Sequence, residues 1–168
     1  MSDFFSKLRQ EIAETQKRRQ RLDLLKIGFV SALLGFGSVK IQDIISFYRM
    51  LYIVPLVAVF FDMLIMGEHF SIKRIGAFLR IKSPENIEKE YETYVATNRD
   101  KFFKYGSRGF TVLSFIAAYY ILTVYQGDSS LKDNINNVIW FLGLFIFYIV
   151  VLIVGYFQHI GLDKRTKI

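Results

Sequence analysis

The stretch Ile45–Met66 constrains the chain most, because it is nearly unbroken apolar sequence from Met50 onward. As a helix it would extend about 33 Å, against roughly 30 Å for the hydrocarbon core of a bilayer. It contains one acid, Asp62, and one proline, Pro55, which we expect to kink the helix. An acid within a membrane span is costly unless it is paired or hydrated, so Asp62 is the first candidate for a functional site.

Further apolar segments predict more spans, at Leu24–Val39, Gly109–Tyr125 and Val138–Phe157. The composition agrees, since 52% of the residues are hydrophobic and 17% are aromatic. We therefore predict an all-α integral membrane protein with four transmembrane helices in two hairpins and cytoplasmic amphipathic helices. The predicted order is an amphipathic N-terminal helix (1–23), a first transmembrane hairpin (24–67), a helical region (68–108), a second hairpin (109–157) and a basic tail (158–168).

The distribution of positive charge predicts the orientation. Of the 22 Lys and Arg residues, only Lys40, Arg49 and Lys132 fall on one side of a four-span arrangement. Cytoplasmic loops carry the excess of Lys and Arg, so we expect both termini and the middle region in the cytoplasm and the protein in a bacterial-type inner (plasma) membrane.

The polar regions read as amphipathic helices. Phe5, Leu8 and Ile12 share one face of the N-terminal helix, which precedes the basic run 17–21. This helix could extend the first span or lie on anionic lipid, and nucleic-acid binding is the least favoured interpretation. Ser83-Pro84-Glu85 is a typical helix start, and Gly106-Ser107 predicts a break before the third span.

Small residues mark the first span as a packing surface. Those at spacings of four are Gly28 with Ala32 and Ser31 with Gly35. Such spacing lets a neighbouring backbone approach closely, so we expect this segment to face protein rather than lipid.

Three interpretations of Asp62 stay open. In the simplest, Asp62 lies only about one turn from Gly67 and reaches interfacial water. Asp62, His69 and Lys73 share one helical face, which would suit a cation or proton site with His69 as relay. Alternatively, a hairpin about residue 43 puts Lys26 at the depth of Asp62, and the two would form a structural ion pair.

Other chemistries find little support. The chain has no cysteine, which excludes disulfides and thiolate sites. Glu68-His69 lacks the spacing of a metal site, and no motif for a nucleophile or a phosphate loop is present, so we expect no metal, no cofactor and no enzyme activity. The tyrosines of the last two spans could line a cavity but more often bond between helices or anchor at the interface; they are Tyr119, Tyr120, Tyr148 and Tyr156.

These observations predict a small multipass membrane protein that acts by homo-oligomerisation or by binding a membrane or cytoplasmic protein, with the lipid bilayer as its surroundings. One alternative is an oligomeric ion channel with Asp62 near the pathway, and another is a small proton-coupled transporter. In architecture alone, cytoplasmic helices with small paired spans resemble small prokaryotic membrane proteins proposed as pore-forming effectors in defence systems. This resemblance implies a pore-forming oligomer.

Overall fold

The protein is built from helices, and the computed structural model describes residues 2–39, 47–97, 101–126 and 131–165. These residues form a short 3₁₀ helix and five α-helices, with no strand among them, so the all-α prediction is confirmed. The 3₁₀ helix is Phe47–Tyr52. The α-helices are α1 (Ser2–Ser38), α2 (Val54–Lys82), α3 (Asn86–Thr97), α4 (Lys101–Gln126) and α5 (Leu131–Arg165).

Three stretches of the described chain are long and apolar enough to cross a membrane, namely Phe47–Lys82, Tyr105–Val124 and Ile135–Leu162. The predicted first span is not among them. Its helical part, Leu24 to Ser38, extends only about 22 Å and includes Lys26. Length and composition therefore support a membrane protein with three clear candidate spans.

The predicted N-terminal helix and first apolar segment form one continuous helix, α1, which lies antiparallel to α2. Near one end, Gly37 of α1 contacts Leu51, which precedes α2. Near the other end, Phe5 packs on Leu79 in a small apolar cluster. α1 thus accompanies α2 from its start almost to its end.

Pro55 does not kink the second span, and this prediction is wrong. α2 begins at Val54, so the proline lies in its first turn, where a backbone N–H has no partner within the helix. The fixed φ of proline suits that position. The 3₁₀ helix Phe47–Tyr52 takes the chain up to it.

The break predicted at Gly106-Ser107 is also wrong, since α4 runs through both residues. Likewise α2 continues beyond Gly67 to Lys82, so span and basic amphipathic segment are a single helix. A helical glycine costs only about 1 kcal/mol relative to alanine, which neighbouring contacts readily offset. We call residues 2–21, 70–82 and α3 together the polar head.

The main core lies where α1, the 3₁₀ helix, α2, α4 and α5 meet. Its buried members are Val30, Leu51, Val54, Ala58, Val59, Phe115, Ala118, Leu122, Phe141 and Tyr148. Across the top of this core the Tyr52 hydroxyl donates to the Asn137 side-chain oxygen, and the Trp140 indole donates to the Tyr52 carbonyl. The candidate site lies beside this core, where buried polar side chains of α1, α2, α4 and α5 meet.

Candidate functional site

Several polar residues buried between the helices form a network around Asp62. Lys26 Nζ lies 2.8 Å from Asp62 Oδ1, and the two side chains are 1% and 5% exposed. The Thr111 hydroxyl donates to Asp62 Oδ2 at 2.5 Å, and the Tyr148 hydroxyl donates to the same oxygen at 3.0 Å. Four helices, α1, α2, α4 and α5, therefore each contribute a group to one carboxylate site.

Ser107 completes the network on the side of the polar head. Its backbone carbonyl accepts a hydrogen bond from Lys26 Nζ at 2.6 Å, and its hydroxyl oxygen lies 3.2 Å from the same nitrogen. The hydroxyl donates in turn to Asp23 Oδ1 at 3.0 Å. We call Asp23, Lys26, Asp62, Ser107, Thr111 and Tyr148 the ion-pair network.

The two charged side chains at its centre, Lys26 and Asp62, form all their hydrogen bonds with other protein groups. The Lys26 ammonium has three N–H donors, and Asp62 Oδ1 and both oxygens of Ser107 accept from it. Asp62 accepts from Lys26 on one oxygen and from two hydroxyl groups on the other. A desolvated ion pair is stable only with such additional hydrogen bonds. The arrangement therefore indicates a structural ion pair that holds α1, α2, α4 and α5 together.

The predicted site residues separate into two places. Lys26 and Asp62 are in direct contact, whereas His69 lies two helical turns further along α2, about 10 Å away along the axis. Lys73 lies one turn beyond that, half-buried. The structure therefore gives Asp62 and His69 no direct contact through which a proton would pass.

His69 instead belongs to a second cluster near the polar head. Its ring lies against that of His159 of α5, with centroids 5.3 Å apart. Arg19 Nη1 lies 3.4 Å from His69 Nδ1, and because a guanidinium can only donate, Nδ1 is the acceptor. Glu68 points elsewhere and lies 3.8 Å from Arg18. Within the described residues, no three His, Asp or Glu side chains converge as a metal site would require.

Sequence reasoning overlooked Asp23, Ser107 and Thr111, and it named Tyr148 only among four tyrosines. A usable signal was present, since Ser107 and Thr111 are four residues apart and so place two hydroxyl groups on one face of α4. Of the other tyrosines, Tyr120 and Tyr156 are exposed, and Tyr119 packs on Phe141.

The small residues of α1 lie on its outer face. Gly28, Ser31, Ala32 and Gly35 are all exposed. A side-chain carbon added at Gly28 or Gly35 would meet no atom within 4 Å. α1 packs on α2 and on the 3₁₀ helix through its opposite face, which carries Lys26, Val30 and Gly37.

A further polar contact fixes α3 to α1 in the polar head. Arg9 Nε donates to Glu88 Oε1 at 2.5 Å, and Arg9 Nη2 lies 3.3 Å from Glu85 Oε2. The hydrogen bond from Arg9, with a second from the Ser83 hydroxyl, lowers the pKa of Glu88 below its usual range. Ser83 Oγ also accepts from the backbone N–H of Glu85, as the predicted helix start requires.

The chain matches no protein-family model, no curated protein and no solved structure.

Proposed function

We propose that the chain is a non-enzymatic, four-span membrane protein that acts by assembling with copies of itself or with a membrane protein partner. The observation that carries this proposal is the exposed small-residue face of α1, at Gly28, Ser31, Ala32 and Gly35. In a bilayer, helices associate by close backbone packing at such residues. These four residues are exposed, whereas Lys26, Val30 and Gly37 on the opposite face of α1 are buried.

The contacts at both ends of α1 support a fourth span. Arg9 of α1 bonds to Glu88 beyond the end of α2, and Gly37 of α1 contacts Leu51 before its start. If α2 crosses the bilayer, α1 must cross beside it. A span about 8 Å shorter than the hydrocarbon core is tolerated by local thinning or by snorkelling of flanking residues such as Arg21.

Labelling of single cysteines tests this topology, and the native chain has no cysteine to interfere. We expect an impermeant maleimide to label Val39→Cys in intact spheroplasts, and to label Gln10→Cys and Glu90→Cys only after permeabilisation. The three positions are exposed in the structure. Labelling of Gln10→Cys and Glu90→Cys from opposite sides would show that α1 does not cross.

The occupied state of Asp62 favours assembly over an ion pathway. A permeating cation or proton needs carboxylate oxygens that exchange partners, whereas both Asp62 oxygens accept hydrogen bonds from other helices. The channel and transporter hypotheses therefore require a route elsewhere, between copies of the chain.

Bulky substitution on the α1 face tests the assembly. We expect Gly35→Leu and Ala32→Leu to weaken self-association or partner capture in lipid about tenfold, as the loss of roughly 1–2 kcal/mol of helix packing implies. Subunit counting by photobleaching in liposomes measures it. Gly143→Leu on α5 is the matched control, because Gly143 is equally exposed and open but lies outside the α1 face.

A chain that is monomeric at all lipid dilutions and captures no membrane protein would refute this function. Equal loss of association in Gly35→Leu and Gly143→Leu would show that another surface is responsible.

A further inference from the structure

A surface helix normally packs its apolar face on the protein, but α3 turns that face outward. Its apolar residues face outward, with Ile87 82% and Tyr91 63% exposed. Glu88 and Glu92 instead face the bundle and are half-buried. A short surface helix is normally held by its apolar stripe, so the outward stripe of α3 lacks the contact that such a pattern is made for.

Between α3 and the other helices of the polar head lies an open-sided groove of about 490 Å³. Its open edge is lined by the outward-facing row of α3 residues at helical spacing, Ile87, Tyr91 and Val95. The walls come from Ile12, Ala13 and Gln16 of α1 and from Ile72 and Leu79 of α2.

The charge of the groove is opposite to that of the chain. Three acids line it, Glu85, Glu88 and Glu92, against the single lining cation Arg9, while the whole protein carries a formal charge of +7. Arg9 is already engaged by Glu88 and Glu85. The groove therefore carries a negative excess at its rim.

Glu92 is the acid best placed to meet an incoming cation. Its carboxylate lies against the backbone of α2, where Oε2 would be 2.7 Å from a carbon added at Gly76. Burial raises the pKa of Glu92, and the nearby charge of Glu88 raises it further. The positive charge of Arg80 offsets part of this increase. Among the described residues none donates a hydrogen bond to this carboxylate. A bound ammonium or guanidinium would therefore offset the cost of its desolvation.

We propose that this groove binds a positively charged amphipathic helix of a protein partner, whose apolar side chains lie along the row Ile87, Tyr91 and Val95. This is the mode in which an amphipathic helix lays its apolar face into a groove. A lipid surface fits less well, because interfacial helices carry Lys and Arg on the polar face, whereas α3 carries Glu88, Glu90 and Glu92 against Lys89. The proposal does not depend on self-association through α1.

A direct binding measurement tests the proposal with the full-length chain in phosphatidylcholine nanodiscs. The probe is a fluorescein-labelled leucine–lysine amphipathic helix, compared with a leucine–glutamate helix of the same apolar pattern. We expect saturable binding of the lysine peptide alone, weakened about fivefold to tenfold in Glu92→Gln and in Tyr91→Ala. Empty nanodiscs correct for partition into lipid.

Matched variants on the same helix serve as controls. Glu90→Gln and Tyr94→Ala do not line the groove, and we expect each to change the affinity less than twofold. Gly35→Leu should retain full peptide binding even where it abolishes assembly, so that failure of this proposal and failure of the proposed function give different results.

Three results would overturn the proposal. The first is equal binding of the lysine and glutamate peptides. The second is an affinity in Glu92→Gln no different from that in Glu90→Gln. The third is docking of α3 on anionic nanodiscs without peptide, which would assign the groove to the membrane surface. Brominated lipid would then quench a fluorophore attached at Glu90→Cys, the one cysteine of that variant.

Discussion

Replacement of Asp62 with asparagine is expected to lower the free energy of unfolding by about 3–5 kcal/mol, because it leaves Lys26 as a buried charge without a counter-ion. Lys26 is 1% exposed and bonds directly to Asp62. Asparagine keeps an oxygen for Thr111 and Tyr148, yet its neutral amide offers the ammonium no negative charge. Unfolding in detergent micelles, followed by circular dichroism against denaturant, measures the loss.

The matched control is the more exposed ion pair between Arg18 and Glu68, next to the polar head. Arg18 and Glu68 are 3.8 Å apart, and the Arg18 side chain is 61% exposed. Glu68→Gln should therefore cost less than about 1 kcal/mol. Equal effects of Asp62→Asn and Glu68→Gln would mean that water reaches Asp62 and that the ion-pair network does not stabilise the helix bundle.

A double-mutant cycle separates the ion pair from the hydroxyl contacts. Lys26→Met alone leaves Asp62 as the uncompensated charge, so it should cost as much as Asp62→Asn. Combined with Asp62→Asn it removes both charges, and the double variant should be less destabilised than the sum of the single variants by about 2–3 kcal/mol. Additive losses would contradict a direct pair.

The ion pair itself could be expected from the sequence, whereas its partners could not. Lys26 and Asp62 lie at similar distances from the connection between two predicted antiparallel helices, so depth alone brings them together. Ser107, Thr111 and Tyr148 reach Asp62 from the second hairpin. Those contacts depend on how α4 and α5 are rotated against α2, and periodicity within one helix does not fix that rotation.

Pro55 and Gly106 likewise did not show from the sequence alone where a helix begins, bends or ends. Proline and glycine change the backbone in ways that suit several positions in a helix. Pro55 could kink a helix or begin one, and only the 3₁₀ helix before it places it in the first turn. Gly106 could end a helix, but Ser107 next to it accepts from Lys26 across the bundle, which offsets the cost of continuing α4.

The glycines of α1 show the same limit of the sequence signal. Gly28, Gly35 and Gly37 look alike in the sequence, yet a side-chain carbon meets nothing within 4 Å at the first two. At Gly37 it would lie 2.6 Å from Leu51 Cδ2, and Leu51 is fully buried in the main core. The glycines differ because only Gly37 lies on the face of α1 that contacts the 3₁₀ helix.

Gly37→Leu is expected to lower the free energy of unfolding by about 3 kcal/mol, since its side chain must displace Leu51 from a well-packed core. Gly28→Leu and Gly35→Leu should be neutral or up to about 1 kcal/mol stabilising in the dilute monomer, because leucine favours the helix over glycine. Denaturant unfolding of all three variants in detergent makes the comparison.

Removal of the obstructing side chain provides the decisive check on Gly37. Leu51→Ala alone should cost about 2–5 kcal/mol through the cavity it leaves. In the double variant the new leucine at position 37 can enter that cavity, so we expect the combined loss to fall well below the sum of the two single losses. A fully additive loss, or a Gly37→Leu variant as stable as Gly35→Leu, would mean that α1 is not held against Leu51. The antiparallel pairing of α1 with α2 would then lose the contact that fixes its outer end, and α1 would no longer have to cross the bilayer beside α2.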